Sequence, residues 1–432
     1  MRSMITILFA IFCMGLHADE ADSINIFVTK LFLNNPTNEE VIRAYNQIVT
    51  GRTFEQSEDQ NIFESVRRSL HDEEIAIEAF EMTKDDGTKE YVLFAVRNYY
   101  DAPKFMELFN EDVLHDEIVK GEKAFKDTIV ATMLLSPLLD ELKTVKTIYF
   151  TPAGKFHSFP IEYCNIEDGV MLADKYEFYR LTSSAILTQR KEAQEVYQKY
   201  AIYGGIDFDA LPVFEEKYDE SLPKYKFGFL RDSYLAGVDI HHMLTEKGLK
   251  SFLYDNDHAT EKSLKDIFRQ NIQVFLIETH GVSVPGNTKT DGPDALMLSG
   301  ASYVMEGGIV PEGYEDGLVT TSEISILNLS SIDLAVISAC KSALGRVSWK
   351  GVDGLPRAFK TAGVKSLVMT TDDVVDYVSG MIWRLFFRNL IDGMGKRVAL
   401  LNAIKEARTT LDGFYASPKY WTPFVLIDGI DF

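Results

Sequence analysis

FLIETHGVSV (275–284) and LAVISACKSALG (334–345) are two apolar runs that each end on one reactive side chain, His280 and Cys340. Unbroken aliphatic runs of this length, bounded by turn residues, suit strands buried on both faces of a parallel sheet. In such a sheet ligands bind just outside the carboxyl ends of the strands. If the two runs are neighbours, their tips lie one strand spacing of about 5 Å apart, close enough for an imidazole and a thiol to share a substrate.

The flanking sequence repeats the pattern. From residue 199 onward, strand-like YAIYGGI, KSFLYD, VFLIETHG, DLAVISA, KSLVMTT and PFVLID alternate with helical stretches such as AGVDIHHMLTEKG, TEKSLKDIFRQ and GVDGLPRAFKTAG, with two more helices across 376–414. Alternation at this spacing predicts parallel βαβ units, an α/β fold with helices flanking the sheet.

The earlier half differs. IAIEAFEMTKDDGTKEYVLFAV (75–96) reads as two strands around a tight turn, an antiparallel hairpin. A helical stretch over about 111–143 leads to KTIYFTPAGKFHSFPIEYC, a strand, a turn and a second strand, and a further helix is expected near 183–198. Residues 23–70 carry apolar side chains at helical spacing, which predicts two or three helices. The expected organisation is a helical region over 19–74, an α+β half over 75–198 and a second α/β half over 199–432.

Residues 1–18 have the outline of a signal peptide: Arg2, an apolar run from Met4 to Leu16, then small residues around Ala18. Export is the expectation, with a buried N-terminal helix as the other reading. Elsewhere no apolar stretch reaches about 18 residues, so no stable membrane span is expected.

The 432 residues carry a formal net charge of −21, with 46% hydrophobic and 25% charged residues. That is a globular composition, and no basic cluster opposes the negative field, so nucleic acid is excluded as a partner. Three cysteines, Cys13, Cys164 and Cys340, do not make a disulfide scaffold. No His or Cys cluster has metal-ligand spacing, and Gly204-Gly205 falls short of a dinucleotide fingerprint, so neither a metal nor another cofactor is expected.

The chemistry of a Cys-His pair follows from its groups. Imidazole titrates near neutral pH and can take the thiol proton, then return a proton to a leaving amine. The thiolate is a strong nucleophile. Gly281 has no side chain to block its backbone N–H, which with the Cys340 N–H forms a candidate oxyanion site. Either residue alone is ordinary, a small core thiol or a turn histidine. Placed together at matched strand ends, they indicate a catalytic dyad. His157 has no nucleophile near it in sequence and reads as structural.

These residues resemble a known family. THG (279–281) followed by SAC (338–340) resembles the caspase-like cysteine peptidases of clan CD, in which the histidine also precedes the cysteine by one βα unit. More specifically, the segment from Leu318 through TTSEISILNLSSIDLAVISACKSALGRVSWKGVDGLPRAFKTAGVKSLVMTT, and YWTPFVLIDG near the end, looks like a CHAT domain. TIYFTPAGKFHSFPIEYC and the 75–96 hairpin look like that module's first half, so the resemblance covers roughly 75–430.

The resemblance implies a His280–Cys340 peptidase dyad acting on a protein or peptide substrate. The tetratricopeptide repeats that usually precede such a module are not seen, which leaves substrate delivery or activation to a separate adaptor protein. Ser338 resembles the caspase position that lines the S1 pocket, with a small core residue as the alternative. Where the family carries a Ser-Leu-Trp-like segment, this chain has TTDDVVDYVS, with Asp372 at the tryptophan's place and the Val374-x-Asp376 spacing retained. Asp372 and Asp373 are placed to recognise a basic P1 side chain, or are simply the acids of a helix N-terminus. A catalytically silent interaction module, binding through the long loop 282–317, is the second reading. Acyl transfer by the same dyad to a non-peptide acceptor is the third.

Overall fold

The computed structural model describes residues 23–31, 36–54, 61–189, 197–219, 221, 224–284 and 292–430. The expected signal peptide lies outside these residues.

The strands of the main sheet are β1 (Glu74–Thr83), β2 (Lys89–Val96), β3 (Lys104–Asn110), β4 (Thr147–Thr151), β5 (Glu177–Arg180), β6 (Lys199–Ile206), β7 (Lys250–Asn256), β8 (Val274–Glu278), β9 (Leu334–Ser338), β10 (Ser366–Thr370) and β11 (Phe424–Ile427). They form one sheet in the order β3-β2-β1-β4-β5-β11-β10-β9-β8-β6-β7. From β10 to β7 every pair is parallel. The pairs β1–β4, β4–β5 and β5–β11 are parallel as well.

The expected hairpin is present as β1 and β2, joined by a third antiparallel strand, β3, at the edge. The last strand, β11, runs antiparallel to β10 and parallel to β5, so it stitches the two halves of the chain into one sheet. Just past it, Asp428 accepts from the Thr182 N–H and hydroxyl at 2.7 and 2.8 Å and pairs with Lys360 at 2.9 Å, fixing that seam.

The aliphatic runs are buried along their whole length in β8, β9 and β10, because helices cover both faces. Val274, Leu276, Leu334 and Val336 face α3 (Arg231–Glu246), α4 (Asp376–Ile391) and α5 (Lys396–Thr410). Phe275, Ile277, Ala335 and Ile337 pack on the other side against Leu264, Ile324 and Phe359. In the first half, α1 (Asn38–Arg52) and α2 (Ile62–Ser69) cover one face and the short helices after β3 cover the other. No described helix is long and apolar enough to cross a membrane.

Four expectations need correction. The second strand expected in KFHSFPIEYC is instead two 3₁₀ turns, Gly154–His157 and Ile161–Tyr163. The helical stretch over 111–143 is four short helices, interrupted where Gly121 takes φ 62° and where Pro137 begins a tighter turn. In the helix expected near 183–198 only a 3₁₀ turn, Ser184–Gln189, is described, and residues 190–196 lie outside the described set. GVDGLPRAFKTAG is not one helix: Gly345–Ser348 and Gly351–Gly354 pair as a hairpin, and the helix starts at Leu355 with Pro356 in its first turn. The Gly-Val-Asp-Gly stretch before it, with two glycines and a β-branched valine, is a poor first helical turn.

Candidate active site

β8 and β9 are adjacent and parallel, with Glu278 opposite Ser338. Two residues further along each strand stand His280 and Cys340. The ladder runs one step past the strand ends, the Thr279 N–H donating to the Ser338 carbonyl at 3.0 Å. The two residues named from the sequence therefore follow neighbouring strand ends at the carboxyl edge of the sheet, past the last paired residues.

The turn that carries the thiol is built by its own small residues. Lys341 takes φ 55°, a left-handed conformation costly for a side-chain residue. It is held there by its N–H on the Asp372 carbonyl at 3.1 Å. Ser342, fully buried, donates its hydroxyl to the Ile337 carbonyl at 2.8 Å and accepts from the Thr370 N–H at 3.0 Å. The Ala343 N–H closes the turn on the Thr370 carbonyl at 2.8 Å. Cys340 thus projects from a loop pinned to the tip of β10.

Gly281 sits against that loop. A Cβ at this position would stand 2.9 Å from the Cys340 carbonyl oxygen and 3.0 Å from Pro293, so the close approach needs glycine. Gly281 also opens a small three-stranded sheet, Gly281–Val282, Ala295–Met297 and Leu318–Thr320, which is what the long loop after the histidine contains. In it the Met297 N–H donates to the His280 carbonyl at 3.0 Å. Gly281 and Leu296 are then a non-hydrogen-bonded pair, and the Gly281 N–H points away from that neighbour.

The imidazole is held on three sides. Its Nε2 lies 2.9 Å from the Gly228 carbonyl oxygen, and the rings of Phe208 and Phe227 pack on it at 4.9 and 5.2 Å. A carbonyl can only accept, so Nε2 carries a proton, and in the neutral ring Nδ1 is the acceptor. Sequence reading found none of these three holders. Two are ring contacts from the irregular segment after β6, and the third is a backbone oxygen with no side-chain signature.

Burial pushes the Cys340 thiol above its ordinary range. A contact with the Val374 carbonyl opposes this, Asp373 and Asp372 add to it, and Lys341 works against it. Lys341 Nζ is 2.9 Å from Asp373. Asp372 and Asp373 are both exposed at the β10 tip, and Asp372 accepts from the Asp373 N–H at 2.8 Å.

Ser338 is buried, and its hydroxyl accepts from Trp383 Nε1 at 2.8 Å. It joins the packing under the site on the α4 side. Asp376 explains the Val-x-Asp spacing: its carboxylate accepts from the N–H groups of Asp232 and Ser233 at 2.7 and 2.9 Å, capping the first turn of α3.

Glu278 was overlooked in the sequence, although an acid closing an apolar run two residues before the histidine is a signal. It is 1% exposed, and neither carboxyl oxygen has a hydrogen-bond partner. The Ser233 hydroxyl nearby donates to Asp376 at 2.5 Å. Burial holds the Glu278 carboxyl well above the usual range, and the Asp376 charge adds to that.

Cys164 is fully buried in the first half, and both described cysteines are free, so no Cys164–Cys340 bridge exists. Among the described residues no cluster of three His, Cys, Asp or Glu could hold a metal.

A family model described as CHAT domain matches residues 129–428. Tetratricopeptide repeat protein 28 of Mus musculus is 30% identical over 110 residues, 26% of this chain and 4% of that protein. Among solved structures, the Saccharomyces cerevisiae separase-securin complex matches with TM-score 0.52 at 10% identity, over 93% of this chain and 33% of that one. The Arg specific cysteine proteinase gingipain R matches with TM-score 0.45 at 10% identity, over 71% of this chain and 69% of that one. This chain spans a third of the separase chain and a small fraction of the mouse protein. The fold is caspase-like: a large, mostly parallel sheet flanked by helices.

Proposed function

The chain belongs to the CHAT-domain family, and from that premise we propose that it is a cysteine endopeptidase working through Cys340 and His280. The observation that supports this reading is that His280 and Cys340 each stand two residues past the paired ends of adjacent parallel strands, with His280 Nε2 on the Gly228 carbonyl. His280 takes the thiol proton at Nδ1 as the Cys340 sulfur bonds to the scissile carbonyl carbon. The oxyanion is held by the N–H groups of Gly281 and Cys340. Collapse breaks the C–N bond, the Nδ1 proton leaves with the amine, and a thioester remains. Water attacks the thioester with His280 again as base, releasing the acid and the thiol.

Asp372 and Asp373 serve a basic P1 side chain in this reading, which must displace Lys341 from Asp373. A partner or substrate that opens the Lys341–Asp373 ion pair is expected to raise turnover. The alternative, a silent interaction module, predicts the same fold without a reactive thiol. Labelling with a thiol-directed inhibitor separates them: Cys340 reacts rapidly in the native chain if the site is catalytic, and no faster than an ordinary surface thiol if it is a module.

A further inference from the structure

A cavity of about 50 Å³ opens between the first half, Phe54 just past α1, and the segment after Cys340, with Ala343 in its wall. That is several times the space one water needs, so it takes a short ligand. Its walls are largely apolar, with Leu181, Val425 and Ile427 among them, and its charged side chains are cationic, Arg180 and Arg357 included. Among the described residues that line it there is no carboxylate.

His157 also lines the cavity, and its Nε2 is buried with no hydrogen-bond partner. Burial pushes this imidazole well below its ordinary range, and the charges of Arg52, Arg180 and Arg357 push it the same way. All three guanidinium groups already carry an ion pair. Arg52 pairs with Glu78 at 2.6 Å, and Arg180 spends its donors on Glu162 and the carbonyls of Phe156 and Phe159. Arg357 pairs with Asp353 and gives one N–H to the Lys350 carbonyl at 2.7 Å. An unpartnered ring nitrogen beside the Arg357 guanidinium, against a hydrocarbon wall and with no carboxylate in the lining, is the complement of an apolar anion.

We propose that this cavity binds a short apolar monocarboxylate, its carboxylate at His157 Nε2 and Arg357 and its hydrocarbon body against Leu181, Val425 and Ile427. Inorganic phosphate fits less well, because it wants several uncommitted donors and Arg180, with four of its five N–H groups on Glu162, Phe156 and Phe159, keeps one. The carboxylate comes either from a free short-chain acid or from the C-terminus of a peptide. Arg357 follows the hairpin Gly345–Gly354, which itself follows Cys340, so an occupant ties the segment behind the thiol to the first half.

Calorimetry and thermal melts of the full chain test this without reference to peptidase activity. The probes are butyrate and a tripeptide ending in a free leucine carboxylate, each beside its uncharged twin, butanol or the peptide amide, and phosphate. The expected result is one-to-one binding of at least one acid, at least about tenfold tighter than its twin or phosphate, and at least about tenfold weaker in Arg357→Gln. The tighter acid identifies the source. Should Arg357→Gln fail to fold, Val352→Trp, which fills the cavity from the hairpin, is expected to abolish binding instead. Absence of binding by either acid up to on the order of 10 mM overturns the proposal. Equal binding of a twin or phosphate, or undiminished binding by the folded variant, does so as well.

Discussion

His280 Nε2 donates to the Gly228 carbonyl oxygen at 2.9 Å, across 52 residues of chain. That bond fixes the tautomer and, with Phe208 and Phe227 on the ring, sets its direction. Because the acceptor is a backbone oxygen, no side-chain replacement at 228 removes it directly. Phe227→Ala, which frees one face of the ring, is the accessible test. It is expected to lower kcat by roughly tenfold with little change in KM, as for a group that positions a base without touching substrate.

Gly281→Ala places a Cβ 2.9 Å from the Cys340 carbonyl. Both neighbours are backbone or ring atoms, so the loop must move. A loss of about 1–3 kcal/mol in urea unfolding is expected, with slower alkylation of Cys340. An unchanged midpoint and labelling rate would mean that the loop yields without cost.

Glu278 gives a pH dependence whose sign follows from its raised carboxyl. The folded chain keeps this proton where the unfolded chain, near 4.5, has lost it. Its stabilising contribution is full below the unfolded value and fades as pH rises toward the folded one. Glu278→Gln is expected to flatten the fall in stability between about pH 5 and 8 and to be the more stable chain at the upper end. Denaturant titrations across that range read it directly.

Arg52 and Glu78 form an ion pair in which the side chains are 1% and 0% exposed, and Arg52 Nε also donates to the Trp349 carbonyl at 2.8 Å. Arg52→Ala strands a buried carboxylate and is expected to cost about 3–5 kcal/mol. Arg52→Met with Glu78→Leu removes both charges and is expected to cost much less, as equilibrium unfolding of the two variants will show.

Asp373 raises the Cys340 thiol and Lys341 lowers it. Asp373→Asn removes one and releases the other, so Cys340 is expected to alkylate a few-fold faster at neutral pH. Cys164, fully buried and with its thiol pushed well above the ordinary range by burial, is expected to label only after unfolding. Mass spectrometry of the labelled peptides distinguishes the two.

The strands beside the site were legible because β8, β9 and β10 are covered on both faces, which leaves unbroken aliphatic runs in the sequence. His280 and Cys340 were legible because a reactive side chain ends each run. The junction through β11 was not, since an apolar strand looks the same whichever way it runs. Gly228 acts through its carbonyl, and Asp376 caps a helix 144 residues away, contacts that local patterns do not carry. Ser338 was read as a pocket residue or a small core residue, and the bond its hydroxyl accepts from Trp383 is a contact visible only in three dimensions.

The most direct test of the central claim is cleavage of a positional peptide library under reducing conditions by the native chain, Cys340→Ala and His280→Ala. The account predicts cleavage by the native chain, with Arg or Lys at P1, and a loss of at least about a thousandfold in both variants. Cleavage that survives either substitution would contradict it, as would a native chain that neither cleaves nor labels at Cys340.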